Sequence, residues 1–229
     1  MKKSDNLESD LKETQIVESW QVNARPWINA IAQKQIASRN RVTNQAICNV
    51  VTRLKPKMAL DIGCGEGWLT RYLIARGINT VGIDGSYKLI QEARSYSKGE
   101  FYCLKYDRLA QKFVERYFDI AIANFSLFGE SSVENLLKYI PTKLTSSGSL
   151  VIQTLHPKIA CGNLPYRDGW RNGSWVGFSS DFTSAFPWYF RTVESWISLI
   201  SRYGMNLTEL IEPIDPATGK AASIIFIAK

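Results

Sequence analysis

The chain has a single histidine, four scattered cysteines and no apolar run long enough to cross a membrane. Cys48, Cys64, Cys103 and Cys161 form no C-x-x-C pair, so the sequence predicts neither a zinc site nor a disulfide framework. The first ten residues are polar and contain no apolar signal segment. These absences argue against a protein-bound metal and predict a cytoplasmic protein with reduced thiols.

Positive charge exceeds negative charge, with a net charge of +7, but the lysines and arginines are spread along the chain. No run of five or more cations occurs, whereas nucleic-acid footprints usually cluster them. The charge therefore favours a general surface excess over a nucleic-acid interface. An RNA substrate stays open, because the chain is basic and rich in aromatic residues. The sequence does not determine the oligomeric state.

Residues 58–67 read Met-Ala-Leu-Asp-Ile-Gly-Cys-Gly-Glu-Gly, a buried strand followed by a glycine loop. Glycines leave backbone room for a tight turn and for the close approach of a ligand. The third glycine of the dinucleotide fingerprint would stand at Trp68, which is bulky. Asp61 before the loop suits a cationic ligand, and Asp84, at the end of the next strand, suits a ribose. The loop therefore favours a cationic ligand over a pyrophosphate.

Strands alternate with helices from residue 58 to residue 154, which predicts an α/β fold with a parallel sheet. The predicted strands cover 58–62, 80–83, 101–104, 119–123 and 149–154. Ser131 and Glu134 are spaced as a capping box for a helix before the fifth strand. Two further strands, 205–211 and 222–228, are predicted to form an antiparallel hairpin at the sheet edge.

Residues 1–55 and 156–191 flank the alternating region. A loose tail over 1–10 is expected to precede helices over 11–35, broken at Pro26, and over 39–54. These helices are interpreted as an N-terminal lid or as a simple cover of the sheet, and both interpretations stay open. The remaining domain covers 56–229. Within it, 156–191 is rich in aromatic residues without a helix or strand period, which predicts a substrate-cap insertion.

The motif from Leu60 to Gly67, followed by Val81-Gly82-Ile83-Asp84, resembles the class I S-adenosylmethionine-dependent methyltransferase family. The resemblance implies a three-layer, Rossmann-like sheet of seven strands, mostly parallel with an antiparallel last strand, and S-adenosylmethionine as the cofactor. It implies that the glycine loop lies under the methionine part, that a residue after strand three faces adenine, and that Asn124 lies near the sulfonium. The cofactor-binding residues predicted in this way are Asp61, Gly63, Cys64, Gly65, Gly67, Asp84, Gly85, Ser86, Tyr106, Asp107, Asn124 and Phe125.

The helical start is similar to small-molecule methyltransferases of the ubiquinone-biosynthesis O-methyltransferase type. In that type an arginine before the first strand reaches the methionine carboxylate. The resemblance points to Arg39, with Arg41 as an alternative. A solvated arginine on a helix face is an equally open interpretation of either residue.

The methyl acceptor is expected beyond the fifth strand, where the only histidine, His156, is a candidate general base. The alternative for His156 is a histidine that only caps its loop. Aromatic walls with a few placed cations are typical of small-molecule pockets. The candidate substrate residues of this kind are Tyr166, Trp170, Arg171, Tyr189 and Arg191.

The sequence therefore predicts a methyltransferase that acts on a small molecule by in-line displacement. The stretch at 124–127 lacks the prolines of the DNA amino-methylating enzymes. The alternatives are an RNA methyltransferase and a catalytically inactive cofactor-binding protein. An NAD-dependent oxidoreductase is a further alternative, since it would also use an acid at position 84.

Overall fold

The computed structural model describes residues 2–96 and 99–229. The α-helices are α1 (Lys2–Val22), α2 (Ala24–Ala32), α3 (Asn44–Leu54), α4 (Trp68–Ile74), α5 (Tyr87–Tyr96), α6 (Leu109–Lys112), α7 (Ser131–Tyr139), α8 (Pro157–Ala160) and α9 (Val193–Arg202). The strands are β1 (Met58–Ile62), β2 (Asn79–Asp84), β3 (Glu100–Cys103), β4 (Phe118–Asn124), β5 (Leu144–Thr154), β6 (Gly169–Arg171), β7 (Trp188–Phe190), β8 (Leu207–Ile211), β9 (Ile214–Asp215), β10 (Lys220–Ala221) and β11 (Ile224–Ala228). In the described residues, each helix is too short or too polar to span a bilayer.

Seven strands form one sheet in the order β3-β2-β1-β4-β5-β11-β8. The first five strands run parallel, and β11 runs antiparallel to both β5 and β8. The predicted mostly parallel sheet with an antiparallel last strand is confirmed, and the final hairpin lies at its edge. The strand order reverses between β1 and β4, where α/β sheets bind ligands beyond the carboxyl ends of the strands.

Helices cover both faces of the sheet, because successive side chains of a buried strand point to opposite faces. Leu60 and Ile62 of β1 belong to a core cluster that includes residues of α7 and α9. Ala59, which immediately precedes Leu60, points to the other face and belongs to a second cluster with residues of α3 and α4. All three side chains have no solvent exposure. The result is the predicted three-layer arrangement.

The N-terminal segment differs from the prediction in two places. A loose tail over residues 1–10 is wrong, because α1 begins at Lys2; Met1 lies outside the described residues. The break between the helices lies at Asn23 and not at Pro26. The fully buried Asn23 amide donates to the carbonyl oxygens of Ser19 (2.9 Å) and Thr183 (2.6 Å). Pro26 stands in the first turn of α2, where a missing N–H costs no intrahelical bond.

The segment after β5 contains regular structure that the sequence did not predict. Residues 156–191 include α8 and the antiparallel pair β6–β7. Strands of three residues are too short to give a period-two signal. The backbone N–H of Tyr189 in β7 donates to the carbonyl oxygen of Phe128 (2.7 Å), which ties the hairpin to the loop after β4.

The N-terminus of α7 is capped from another part of the chain. The capping box predicted from Ser131 and Glu134 is wrong, because neither side chain caps the helix. Glu13 of α1 supplies the cap: its Oε1 accepts from the backbone N–H groups of Glu130 (2.7 Å) and Ser132 (3.1 Å). The Ser132 hydroxyl donates to Glu13 Oε2 (2.6 Å). Helix α1 is therefore bound directly to the start of α7.

Candidate cofactor and acceptor site

A cavity of about 350 Å³ lies at the carboxyl ends of β1, β2 and β4, within the ~300–1,000 Å³ range of small-molecule sites. The residues that line its floor and sides are Arg39, Gly63, Cys64, Gly65, Glu66, Trp68, Asp84, Gly85, Ser86, Leu89, Leu104, Lys105, Tyr106, Asp107, Asn124, Phe125 and Ser126. The residues that face them from α1, α2 and the start of α7 are Asp10, Glu13, Thr14, Ile16, Val17, Trp20, Trp27, Phe128, Gly129, Ser131, Ser132 and Asn135.

The cavity brings together all the predicted cofactor residues except Asp61 and Gly67. Gly67 precedes α4 with a φ of +82°, and a Cβ there would lie 2.9 Å from Ala93 Cβ and from the Phe101 ring. The third glycine of the loop therefore permits close packing on α5 and β3.

The turn at Gly63 brings the loop close to the residues that follow β4. The N–H groups of Gly63 and Cys64 both donate to the carbonyl oxygen of Ile83 (2.8 and 2.9 Å). Gly63 has a φ of +69°, and a Cβ would lie 2.2 Å from Ser126 Cβ and 2.9 Å from the Tyr106 hydroxyl. Glycine is required here for both its conformation and its size.

The carboxylate of Asp84 is held by backbone groups at the end of β2. Its Oδ2 accepts from Gly65 N–H (3.0 Å), and its Oδ1 accepts from Ser86 N–H (2.7 Å). Burial raises the pKa of Asp84 to about 6, although these hydrogen bonds act in the opposite direction. A fixed carboxylate of this kind accepts hydrogen bonds from a ribose.

Asp61 lies beneath the loop and not on the cavity wall. Asp61 is 2% exposed, and the Thr70 hydroxyl donates to its Oδ2 (2.7 Å). Burial raises the pKa of Asp61 to about 7, and the nearby carboxylates of Glu66 and Asp84 add to this effect. A direct contact of Asp61 with the cofactor is predicted from the sequence, whereas in the structure its carboxylate is paired with Thr70 of α4 and does not line the cavity.

Arg39 and Glu66 bring opposite charges to one end of the cavity. The Arg39 guanidinium lies over the rings of Trp68 (4.8 Å to the centroid) and Trp27 (5.6 Å). Glu66 is 4% exposed, and its Oε2 accepts from Trp27 Nε1 (3.3 Å). Burial lowers the pKa of Arg39, and the carboxylates of Glu66 and Asp61 oppose that shift. Glu66 stands inside the glycine motif but is not among the cofactor residues predicted from the sequence.

Arg41, the alternative to Arg39, is directed elsewhere. Its guanidinium forms two hydrogen bonds with the carboxylate of Asp215 (3.1 and 2.6 Å), and it does not line the cavity. Of the two arginines that the sequence left open, the structure brings Arg39 into the site.

His156 also lies outside the cavity lining. Its Nε2 is 2.6 Å from Glu212 Oε1, and the residue is 5% exposed. A general base must come within hydrogen-bond reach of the proton that it removes. The geometry therefore does not support the predicted base role, because the imidazole is paired with a carboxylate of the C-terminal part.

The predicted substrate residues Tyr166, Trp170, Arg171, Tyr189 and Arg191 are likewise absent from the cavity lining. The buried Arg191 guanidinium donates to the carbonyl oxygens of Gly129 (2.8 Å) and Glu130 (2.9 Å). Arg171 donates to two other backbone carbonyl groups. Trp170 Nε1 donates to the Glu130 carboxylate (3.0 Å). These groups hold the segment after β5 in place and are not free to bind a substrate carboxylate in this conformation.

Aromatic residues form the roof of the cavity instead. Trp20 of α1 stacks on Phe128, with ring centroids 6.2 Å apart and planes at 28°, and meets Trp27 edge-on (5.1 Å). From outside, Trp175 (5.7 Å) and Phe186 (5.4 Å) pack against the Trp20 ring. The predicted substrate-cap segment 156–191 therefore contacts the roof through Trp175 and Phe186 and does not line the cavity.

Hydrogen bonds also fix the roof to the segment after β5. The Ser19 hydroxyl donates to the carbonyl oxygen of Ser184 (2.5 Å). Asn23 Oδ1 accepts from Thr183 N–H (2.8 Å), while its amide donates to the Thr183 carbonyl. The segment therefore acts on the cavity through α1 and not by lining it.

Two solved structures show the same fold. The S-adenosylmethionine-dependent methyltransferase from Mesorhizobium loti is 20% identical with a TM-score of 0.60, and the match covers 79% of this chain and 95% of that one. The 1,6-didemethyltoxoflavin-N1-methyltransferase of Burkholderia thailandensis is 15% identical with a TM-score of 0.67, covering 96% and 89%. Residues 60–152, from β1 to β5, match the family model described as "Methyltransferase domain". Residues 60–152 of the chain therefore form a methyltransferase domain, with the fold of the S-adenosylmethionine-dependent methyltransferases.

This methyltransferase also has relatives at the sequence level. An uncharacterized protein of Haemophilus influenzae is 25% identical over 201 residues, which are 76% of each chain. A malonyl-[acyl-carrier protein] O-methyltransferase of Erwinia billingiae is 24% identical over 55% of this chain and 50% of its own. The methyltransferase therefore spans about half the length of that named relative.

The unpaired polar atoms of the cavity fit the cofactor of this methyltransferase family. Among the described residues, Arg39 Nη2, Glu66 Oε1 and Asn124 Oδ1 are buried, line the cavity and have no hydrogen-bond partner. A buried polar group without a partner is costly, so these atoms indicate a ligand that satisfies them. A guanidinium beside a carboxylate matches a ligand that carries both a carboxylate and an ammonium group, as the methionine part of S-adenosylmethionine does.

The two buried aspartates of the methyltransferase predict a pH dependence. The pKa values of Asp61 (about 7) and Asp84 (about 6) are raised above the ordinary 3.8, so the folded, cofactor-free chain keeps these protons to higher pH than the unfolded chain. Their contribution to stability is full below about pH 4 and is lost as the pH rises through about 6 to 7. We expect the stability difference between the wild type and Asp61→Asn to shift against the wild type between about pH 5 and pH 8.

Thermal unfolding of both cofactor-free proteins at the two pH values measures this difference. Asp119→Asn is the control, because Asp119 accepts from backbone N–H groups at the opposite end of β1. If the stability of the wild type relative to Asp61→Asn stays constant or increases with pH, the raised pKa of Asp61 is contradicted.

Proposed function

We propose that this methyltransferase transfers the methyl group of S-adenosylmethionine to a small organic molecule by in-line displacement. The observation that carries the proposal is the aromatic roof above the cofactor residues. Trp20 and Trp27 line a cavity of about 350 Å³, and a space of this size supports a small acceptor.

The proposed roles follow from the chemistry of each group. Arg39 would pair with the methionine carboxylate and Glu66 with its ammonium group, while Asp84 would accept the ribose hydroxyls. Tyr106 and Asp107 would flank the adenine. When bound, the cofactor supplies an activated methyl group on a sulfonium.

Alignment is the main contribution that we assign to the chain. Asn124, at the end of β4, has an unpaired amide oxygen in the cavity, from which it would orient an acceptor N–H or O–H group. We assign no base role to His156, because it is paired with Glu212 outside the cavity. Enclosure by the roof keeps water away from the reacting groups.

We infer that residues 1–55 act as a lid and that 156–191 acts as its support within the domain 56–229. Two contacts support the lid: Glu13 binds the start of α7, and the Ser86 hydroxyl donates to Gln21 Oε1 of α1 (2.8 Å). The cavity lies between these contacts, so a movement of α1 would widen the entrance for ligands.

Similar proteins are consistent with a small or carrier-bound acceptor. One has 1,6-didemethyltoxoflavin as its named substrate and another malonyl-[acyl-carrier protein]. The resemblance of the N-terminal helices to ubiquinone-biosynthesis O-methyltransferases stays a prediction.

The proposal is tested with S-adenosylmethionine that carries a labelled methyl group. The protein is incubated with a low-molecular-weight filtrate of a cell extract, and separately with RNA from the same cells. We expect enzyme-dependent label in the filtrate. Label in the RNA alone would identify an RNA methyltransferase, and S-adenosylhomocysteine binding without any transfer would identify an inactive cofactor-binding protein.

A further inference from the structure

The acceptor side of the cavity carries negative charge in a chain that is basic overall. The net charge is +7, yet the charged residues that α1 contributes to the lining are Asp10 and Glu13. The cations of the described lining are elsewhere: Arg39 lies between two tryptophan rings beside Glu66, and Lys105 follows β3 next to the predicted adenine residues. Among the described lining residues, α1 and the start of α7 therefore contribute acids and no cation.

Glu13 is held at a fixed place on this side. Its carboxylate accepts from two backbone N–H groups and from the hydroxyls of Ser131 (3.3 Å) and Ser132 (2.6 Å). A carboxylate at a helix N-terminus is stabilised by the helix dipole. The hydrogen bonds prevent the side chain from turning away from the cavity wall. An anionic acceptor would meet this charge together with that of Asp10.

The roof supplies flat aromatic surface to the same region. Trp20 and Phe128 are nearly parallel, at 28°, and both line the cavity. Trp175 and Phe186 pack on Trp20 from outside, so the indole has aromatic neighbours on the side away from the cavity. Aromatic faces attract cations and the edges or faces of other rings.

We propose that the acceptor is a planar aromatic or heteroaromatic molecule that carries nitrogen and no anionic group. Its ring would lie against Trp20 and Phe128, and its N–H groups would point toward Glu13, Asp10 and Asn124. This inference rests on the proposed function, since it names the class of small molecule that the methyltransferase receives. It excludes free carboxylic acids and phosphates as acceptors.

The experiment compares two probes of the same shape, 4-aminoquinoline and quinoline-4-carboxylate. The full chain is first saturated with S-adenosylhomocysteine, and binding of each probe is then measured by calorimetry. We expect 4-aminoquinoline to bind and the carboxylate to bind at least about tenfold more weakly, because like charges across an interface oppose association. Trp20→Leu should weaken binding of 4-aminoquinoline. Asp10→Asn should reduce the ratio between the affinities of the protein for 4-aminoquinoline and for the carboxylate. Asp10 is exposed, so its replacement leaves the fold intact.

Glu115→Gln is the matched control, since Glu115 is an exposed acid away from the cavity lining and should leave the ratio unchanged. Equal or tighter binding of the carboxylate overturns the inference, as does binding of neither probe to the S-adenosylhomocysteine complex. Failure of S-adenosylhomocysteine to bind at all counts against the proposed function itself, so the two failures are distinguishable.

Discussion

Gly63→Ala should weaken S-adenosylhomocysteine binding by about 10- to 100-fold, because overpacking costs about 1–3 kcal/mol and the crowded loop forms part of the cavity wall. The added Cβ would lie 2.2 Å from Ser126 Cβ and 2.9 Å from the Tyr106 hydroxyl, so the loop must move. The movement would also disturb the N–H groups of Gly63 and Cys64, which share the Ile83 carbonyl oxygen. Calorimetric titration of the purified variant measures the loss.

Gly77→Ala separates the effect of crowding from that of backbone strain. Gly77 has a φ of +78°, close to that of Gly63, but a Cβ there meets nothing within 4 Å. Gly77→Ala should lose roughly 1–2 kcal/mol of unfolding free energy, the cost of a left-handed conformation for a residue with a Cβ, and Gly63→Ala should lose more, because its Cβ is also crowded. Only Gly63→Ala should lose binding. Equal loss of affinity in the two variants would show that the close contacts at Gly63 do not matter.

The strands of the sheet could be predicted because each is encoded by a short run of consecutive residues. A run of apolar residues such as 58–62 determines a buried strand by itself, and β1 has those bounds. The hairpin of β8 and β11 follows from two short apolar stretches and the turn residues between them. The local sequence pattern does not predict very short strands such as β6 and β7. It also does not predict a helix that is stabilised by contacts with distant residues, as around Asn23.

Of the candidate site, only the residues that lie close together in the sequence could be predicted. The glycine loop and Asp84 stand within 22 residues of each other, and the hydrogen bond from Gly65 N–H to Asp84 joins them. Glu13, by contrast, caps a helix more than a hundred residues away, and no periodicity encodes that contact. Composition alone suggests that Arg191 is a substrate ligand, but its guanidinium is occupied by backbone carbonyl groups.

Arg39→Gln should weaken S-adenosylhomocysteine binding by roughly 30-fold or more, since removing one partner of a buried charge pair costs about 2–5 kcal/mol. Arg39 Nη2 is buried in the cavity wall without a hydrogen-bond partner among the described residues, and the guanidinium lies over Trp68 and Trp27. A ligand carboxylate would satisfy it. The neutral glutamine retains a hydrogen-bond donor but loses the charge and the fork geometry of arginine.

Two comparisons assign this loss to the methionine carboxylate. Arg41→Gln removes an arginine two residues away that pairs with Asp215 outside the cavity, so affinity for S-adenosylhomocysteine should stay at the wild-type value. 5′-Methylthioadenosine keeps the nucleoside but has no carboxylate, so its affinity should be the same for Arg39→Gln and the wild type. If Arg39→Gln weakens both ligands equally, Arg39 supports the fold of the cavity and does not bind the carboxylate. If Arg41→Gln alone weakens S-adenosylhomocysteine, the assignment belongs to Arg41 and α1 and α2 must rearrange when the cofactor binds.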